Sequence, residues 1–115
     1  MSHIEDCLRQ VMAVQGALGA SLVDYPSGSA ICAAGPVPAN DGQLVRAAMN
    51  TAASTAIGQP DRIEDIVVTA GDGYHVVHIL PGDRLALYVW LDRMLGNIAL
   101  TQRTMRVVGM QFAAG

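Results

Sequence analysis

His75 and His78 are the first residues whose type and spacing invite a chemical reading, since imidazole is the commonest side-chain metal ligand. They fall in the stretch from Tyr74 to Leu80, which reads as a β-strand. Side chains alternate along a strand, so a separation of three residues puts the two rings on opposite faces of the sheet. A regular strand cannot bring both to one ion. No metal site is expected, with one histidine inside and one outside. A phosphate-binding loop would need a glycine-rich turn and a lysine. Gly71-Asp72-Gly73 and Gly82 read instead as hairpin turns, and all seven basic residues of the chain are arginines. Gly19-Ala20-Ser21-Leu22-Val23 approaches a serine nucleophile elbow, but it lacks the second glycine and lies mid-strand with no helix after it. Asp24, Asp72, Asp83 and Asp92 stand at strand ends, where aspartate commonly caps a turn. Cys7 falls in a helix and Cys32 in a strand, without CxxC or metal-ligand spacing, so two reduced, partly buried thiols are expected. Tyr88 and Trp90, on one face of the last strand, read as core packing, and the methionines as core filler. Catalytic residues, cofactors and metals are accordingly expected to be none.

Composition bounds the rest. The 115 residues make room for one domain. A chain of this size buries roughly two-thirds of the surface it exposes when unfolded, enough for a core without staples. Hydrophobic residues make up 51% of the chain but aromatics only 4%, so the core must be built from Ala, Val, Ile, Leu and Met. The net charge is −3 and no run of basic residues occurs, which argues against a nucleic-acid partner. No apolar run reaches the roughly 18 residues needed to span a bilayer. Met1-Ser2-His3-Ile4-Glu5-Asp6 lacks the basic start and apolar stretch of a signal peptide, so no membrane insertion and a cytoplasmic location are expected.

The elements that would position these residues follow closely on one another. A first helix is expected over Ile4 to Gln15, with Ser2 and Glu5 as a capping box and Gly16 as its end. Ala17 to Asp24 and Ser29 to Ala34 read as a hairpin closed at Tyr25-Pro26-Ser27-Gly28. A second helix is expected over Asp41 to Ile57, capped by Asn40 and stopped by Gly58 and Pro60. Arg62 to Ala70, Tyr74 to Leu80 and Arg84 to Asp92 read as an antiparallel meander. A last helix is expected over Met94 to Met110, with a first turn weakened by Gly96 and Asn97, which leaves a later start open. The order is α-β-β-α-β-β-β-α, an α+β class with one five-stranded antiparallel sheet flanked by helices.

Two features of this layout are anomalous for a lone chain. Leu85 to Leu91 is apolar on both faces, as befits a central strand covered on both sides. That puts Ser29–Ala34 and Arg62–Ala70 at the sheet edges, and the second carries Ile66-Val67-Val68. An exposed apolar edge invites pairing with another chain. The second helix is also apolar around most of its circumference, with only a narrow polar stripe near Gln43, Arg46, Asn50 and Ser54. A helix on one sheet needs only one apolar face. A two-fold partner presenting the same surfaces would cover both.

Three stretches resemble the roadblock/dynein light chain family, in the wording of its bacterial, actinobacterial conservon-type members. They are Gly16 to Asp24 with a turn at Gly28, Ile63 to Thr69 followed by Tyr74-His75, and Leu91-Asp92-Arg93 leading to Asn97-Ile98-Ala99. The resemblance spans nearly the whole chain and implies a roadblock fold akin to profilin and longin folds. It implies homodimers formed through the second helix and the third strand, with one continuous sheet across two chains. The interface residues carried over on that basis are Val45, Ala48, Met49, Ala52, Ala56, Ile66, Val67 and Val68. It also implies a non-catalytic protein that binds a small Ras-like GTPase and modulates its hydrolysis. The alternatives are a structural adaptor for a sensor-kinase-like protein and a small-ligand sensor, the last opposed by how few polar residues converge on the expected core. Some members carry longer tails, and this sequence stops at Gly115.

Overall fold

The turn residues close the connections where expected, and the strands pair accordingly. In the computed structural model, which describes residues 3–38, 40–55, 63–82 and 84–114, the order is α1 (His3–Met12), β1 (Ala17–Asp24), β2 (Ser29–Ala34), α2 (Asp41–Thr55), β3 (Asp65–Ala70), β4 (Gly73–Ile79), β5 (Leu85–Leu91) and α3 (Ile98–Ala114). The five strands form one antiparallel sheet in the order β2-β1-β5-β4-β3. Ser2, Ala56, Ile57, Gly58, Pro60, Arg62 and Asp83 lie outside the described residues. Among those that are described, no helix is long and apolar enough to cross a membrane.

The centre of the sheet is β5, whose Ala86, Leu87, Tyr88, Val89 and Leu91 are all buried. The two-sided apolar pattern of this strand follows from helices on both faces. On one face α1 and α3 pack over Leu22, Val76, Leu87, Val89 and Leu91, contributing Leu8, Val11, Met105 and Val108. On the other face α2 sends Val45 and Met49 onto Val23, Val77, Ala86 and Tyr88. Aliphatic residues dominate both layers, as the scarcity of aromatics requires.

Several element ends differ from the sequence reading, with α3 running on to Ala114 rather than Met110, and three of the differences have a visible local cause. The first helix closes at Met12 rather than Gln15, because its last turn tightens: Ala13 N–H donates to the Gln10 carbonyl and Val14 N–H to that of Val11. Gly16 then takes φ +85°, and a Cβ there would lie 2.7 Å from the Gly96 backbone nitrogen, so glycine is needed twice over. The third strand begins at Asp65, although the Glu64 carbonyl still accepts from Ile79 N–H at 2.9 Å. The last helix begins at Ile98 rather than Met94. Asp92 Oδ2 accepts from the N–H groups of Met94 and Leu95 and folds them into a turn. Asn97, whose presence argued for a weak first turn, is the cap: its Oδ1 accepts from Leu100 N–H at 2.9 Å.

The strand-end aspartates within the described residues serve turns and edges. Asp24 accepts from the Ser27 N–H and hydroxyl and from Arg84 Nε. Burial pushes its carboxyl upward, but the Ser27 hydrogen bonds and the Arg84 charge outweigh that and hold it below the usual aspartate value. A depressed folded-state value gives stability that is full above the unfolded value and is lost as pH falls through the folded one. Asp24→Asn should therefore narrow the Tm difference between neutral and acidic buffer, read by thermal melts across that range. An unchanged acid limb would show that the turn does not contribute.

Candidate interaction surface

His75 and His78 are both inside, which corrects the expectation of one in and one out. The rings do lie on opposite faces, but both faces are covered by helices. On the α2 face, His75 is 4% exposed, with Nδ1 at 2.7 Å from the Tyr88 hydroxyl and Nε2 at 3.0 Å from Asp72 Oδ1. A carboxylate only accepts, so Nε2–H donates to Asp72 and Nδ1 accepts from Tyr88 O–H. Burial, with Asp41 and Asp72 nearby, raises the Tyr88 phenol above its ordinary value, so it stays a donor. Both ring nitrogens are used, and the relay ties β4 to β5. On the α3 face, His78 is 7% exposed and sits 2.6 Å from Asp65. Among the described residues no three metal-ligating side chains come together. Cys7 is buried and its thiol is pushed up by burial and by Asp6.

What the fold leaves open is the α2 side of the sheet edge. β3 pairs only with β4, so its outer backbone groups face away from the sheet. Alternation sends Ile66 and Val68 toward α2 and Val67 toward the α1/α3 layer, where it packs on the larger core. Between α2 and β3 runs an apolar groove of about 480 Å³, lined by Leu44, Ala47, Ala48, Thr51, Ala52, Ile66 and Val68. Val68 is 39% exposed there. Small side chains on α2 keep the groove shallow and let another backbone approach.

Four of the residues marked from sequence, Ala48, Ala52, Ile66 and Val68, meet in this groove. Three others do not face it. Val45 and Met49 lie beneath α2 in the chain's own core, and Val67 lies under the opposite layer. Ala56 is outside the described residues. Leu44, Ala47 and Thr51 complete the groove and were not singled out, although the spacing 44, 47/48, 51/52 marks one helical face.

No protein-family model matches the chain, and no curated protein matches it. Solved structures do. A roadblock/LC7 domain from Streptomyces avermitilis superposes with a TM-score of 0.70 at 15% identity, covering 97% of this chain and 92% of that one. The fold is that of a roadblock/LC7 domain. Myxococcus xanthus MglB gives a TM-score of 0.73 at 19% identity, with 97% and 92% of the two chains covered. A further roadblock-fold structure, described as MglB with tetrameric arrangement, gives 0.68 at 17% identity over 96% and 90%. Two stretches that carry the sequence resemblance have structural work in this fold. Asp92 caps the turn before α3, and Arg93 stacks on the Tyr74 ring at 5.3 Å while donating to the Ala70 carbonyl, locking the β3–β4 hairpin to the end of β5.

Proposed function

We propose that this chain is a non-catalytic, homodimeric regulatory protein of the roadblock family that binds a small Ras-like GTPase in the cytoplasm. The observation that carries the reading is the open apolar groove beside an unpaired strand edge. A groove lined by Ile66 and Val68 is a poor surface for a solitary chain and a good one for a second copy. The two-fold partner lays its own β3 edge and α2 against it, and the sheet continues across both chains. Ala48, Ala52, Ile66 and Val68 form the contact, with Leu44, Ala47 and Thr51 beside them. Val45, Met49 and Val67 support it from within each chain. A structural neighbour is described as having a tetrameric arrangement, which supports self-assembly in general. The dimer then offers paired helices to a GTPase, altering hydrolysis through that protein's own residues.

The test is to mix the protein with a small Ras-like GTPase from the same genome, loaded with GDP or with a non-hydrolysable GTP analogue. A complex in at least one state, with a changed hydrolysis rate, is expected. No complex in either state removes the proposal. A complex with hydrolysis at its intrinsic rate would favour the adaptor reading, with the sensor-kinase-like protein as the second partner.

A further inference from the structure

A second opening lies on the other side of the sheet. Where the start of β3, the end of β4 and the middle of α3 meet, there is a cleft of about 290 Å³. That is at the lower end of small-ligand pockets, roughly 300–1,000 Å³. Its polar groups are organised around His78. Asp65 accepts from His78 Nδ1–H through one oxygen at 2.6 Å and from Arg106 Nη2 through the other at 3.1 Å. Since the carboxylate can only accept, the proton on the Asp65 side of the ring is on Nδ1. That leaves Nε2, which has no protein partner among the described residues.

The helix over this ring is cut away at the same place. Gly109 lies mid-α3, where glycine is intrinsically unfavourable. A Cβ at that position would come 3.3 Å from His78 Nε2 and 2.9 Å from Leu80 Cδ2. Gly109, His78 and Arg106 all line the cleft, and Ile63, Leu80, Pro81 and Met110 supply apolar wall. A buried imidazole oriented by a carboxylate, an arginine with N–H groups to spare and an apolar surround amount to a recognition site. Nothing in the proposed GTPase role uses it.

We propose that this cleft binds a small monocarboxylate with a short apolar stem. The carboxylate takes N–H donors from Arg106 and shares one proton with His78 Nε2, while the stem lies against Ile63, Leu80 and Met110. Both Asp65 oxygens are already occupied, one by His78 Nδ1–H and the other by Arg106. Glu64, exposed at the rim, is the one opposing charge from the described lining. The titratable or charged groups facing His78 are therefore Asp65 and Glu64 from the β3 side and Arg106 from α3.

The experiment is an NMR titration of the full chain with sodium butyrate, using butyramide as the uncharged control. Saturable shifts of the Ile79, Leu80 and Gly109 amides are expected with butyrate and not with butyramide. Arg106→Gln, at a half-exposed position that does not hold the core, should weaken binding by about tenfold or more, as loss of a charge-assisted hydrogen bond does. Gly109→Ala should abolish it, and Glu64→Gln should strengthen it. The idea is overturned by the absence of saturable binding, by equal binding of butyramide, or by a parent-like affinity in Arg106→Gln.

Discussion

Val68→Asp leaves the chain folded and separates the two copies of the proposed dimer. Val68 stands at the edge strand, 39% exposed in the single chain. A carboxylate there stays hydrated, and the monomer loses no more than about 1 kcal/mol, the span of strand propensities. In the proposed dimer the same position would face the partner across the two-fold, and both copies would bring the charge. Burying an unpaired charge costs roughly 3–5 kcal/mol. At 1.4 kcal/mol per tenfold, that is about two to three and a half decades in the dimer Kd. Analytical ultracentrifugation across a concentration series reads it directly. Met49→Asp is the contrasting variant. Met49 is 8% exposed and packed in the chain's own core, so its replacement should lower the melting temperature of the monomer itself. A Val68→Asp protein that remains dimeric would place the interface elsewhere.

Gly19→Ala carries the largest expected cost to the fold. Gly19 sits in β1 opposite Trp90, and the loop after β2 passes directly over it. A Cβ on Gly19 would fall 1.6 Å from the Pro36 carbonyl oxygen. The obstacle is backbone, so no rotamer change relieves it. Either β1 leaves its place beside β5, or the loop lifts. The loop cannot lift alone, because the Pro38 carbonyl accepts from Asp41 N–H at 3.1 Å, at the first residue of α2. The clash therefore reaches α2 and the groove beside it. Overpacking of this kind costs about 3 kcal/mol or more, which for a domain of this size is a fall of roughly 10–20 °C in Tm. Gly71→Ala is the control: no atom lies within 4 Å of a Cβ there. It should change stability by no more than about 0.5 kcal/mol. If both variants melt together, the crossing of Pro36 over Gly19 is not what fixes this region.

The sheet order was legible because its determinants are local. Gly71-Asp72-Gly73 and Pro81-Gly82 force β3, β4 and β5 into a meander, and Tyr25 to Gly28 forces β1 and β2 into a hairpin. The two-sided apolarity of Leu85–Leu91 then makes that strand the simplest join between them. The ends of elements were less legible because they are set by bonds between distant or competing groups. Asn97 reads as a poor helix residue until its Oδ1 is seen to cap Leu100.

The groove beside β3 was legible only as a region. Period-two alternation separates Val67 from Ile66 and Val68, so the sequence alone determined which of them share a face. The sequence also determined that β3 is an edge, and that His75 and His78 lie back to back. Which face of α2 turns inward was decided by the tertiary structure. An alanine-rich helix is apolar nearly all round, and only its docking angle puts Val45 and Met49 in the core and Ala48 and Ala52 at the groove. The burial of both histidines was decided in the same way. Alternation assigns a side chain to a face, but whether that face is wet depends on which helix crosses it, and α3 crosses His78 at Gly109.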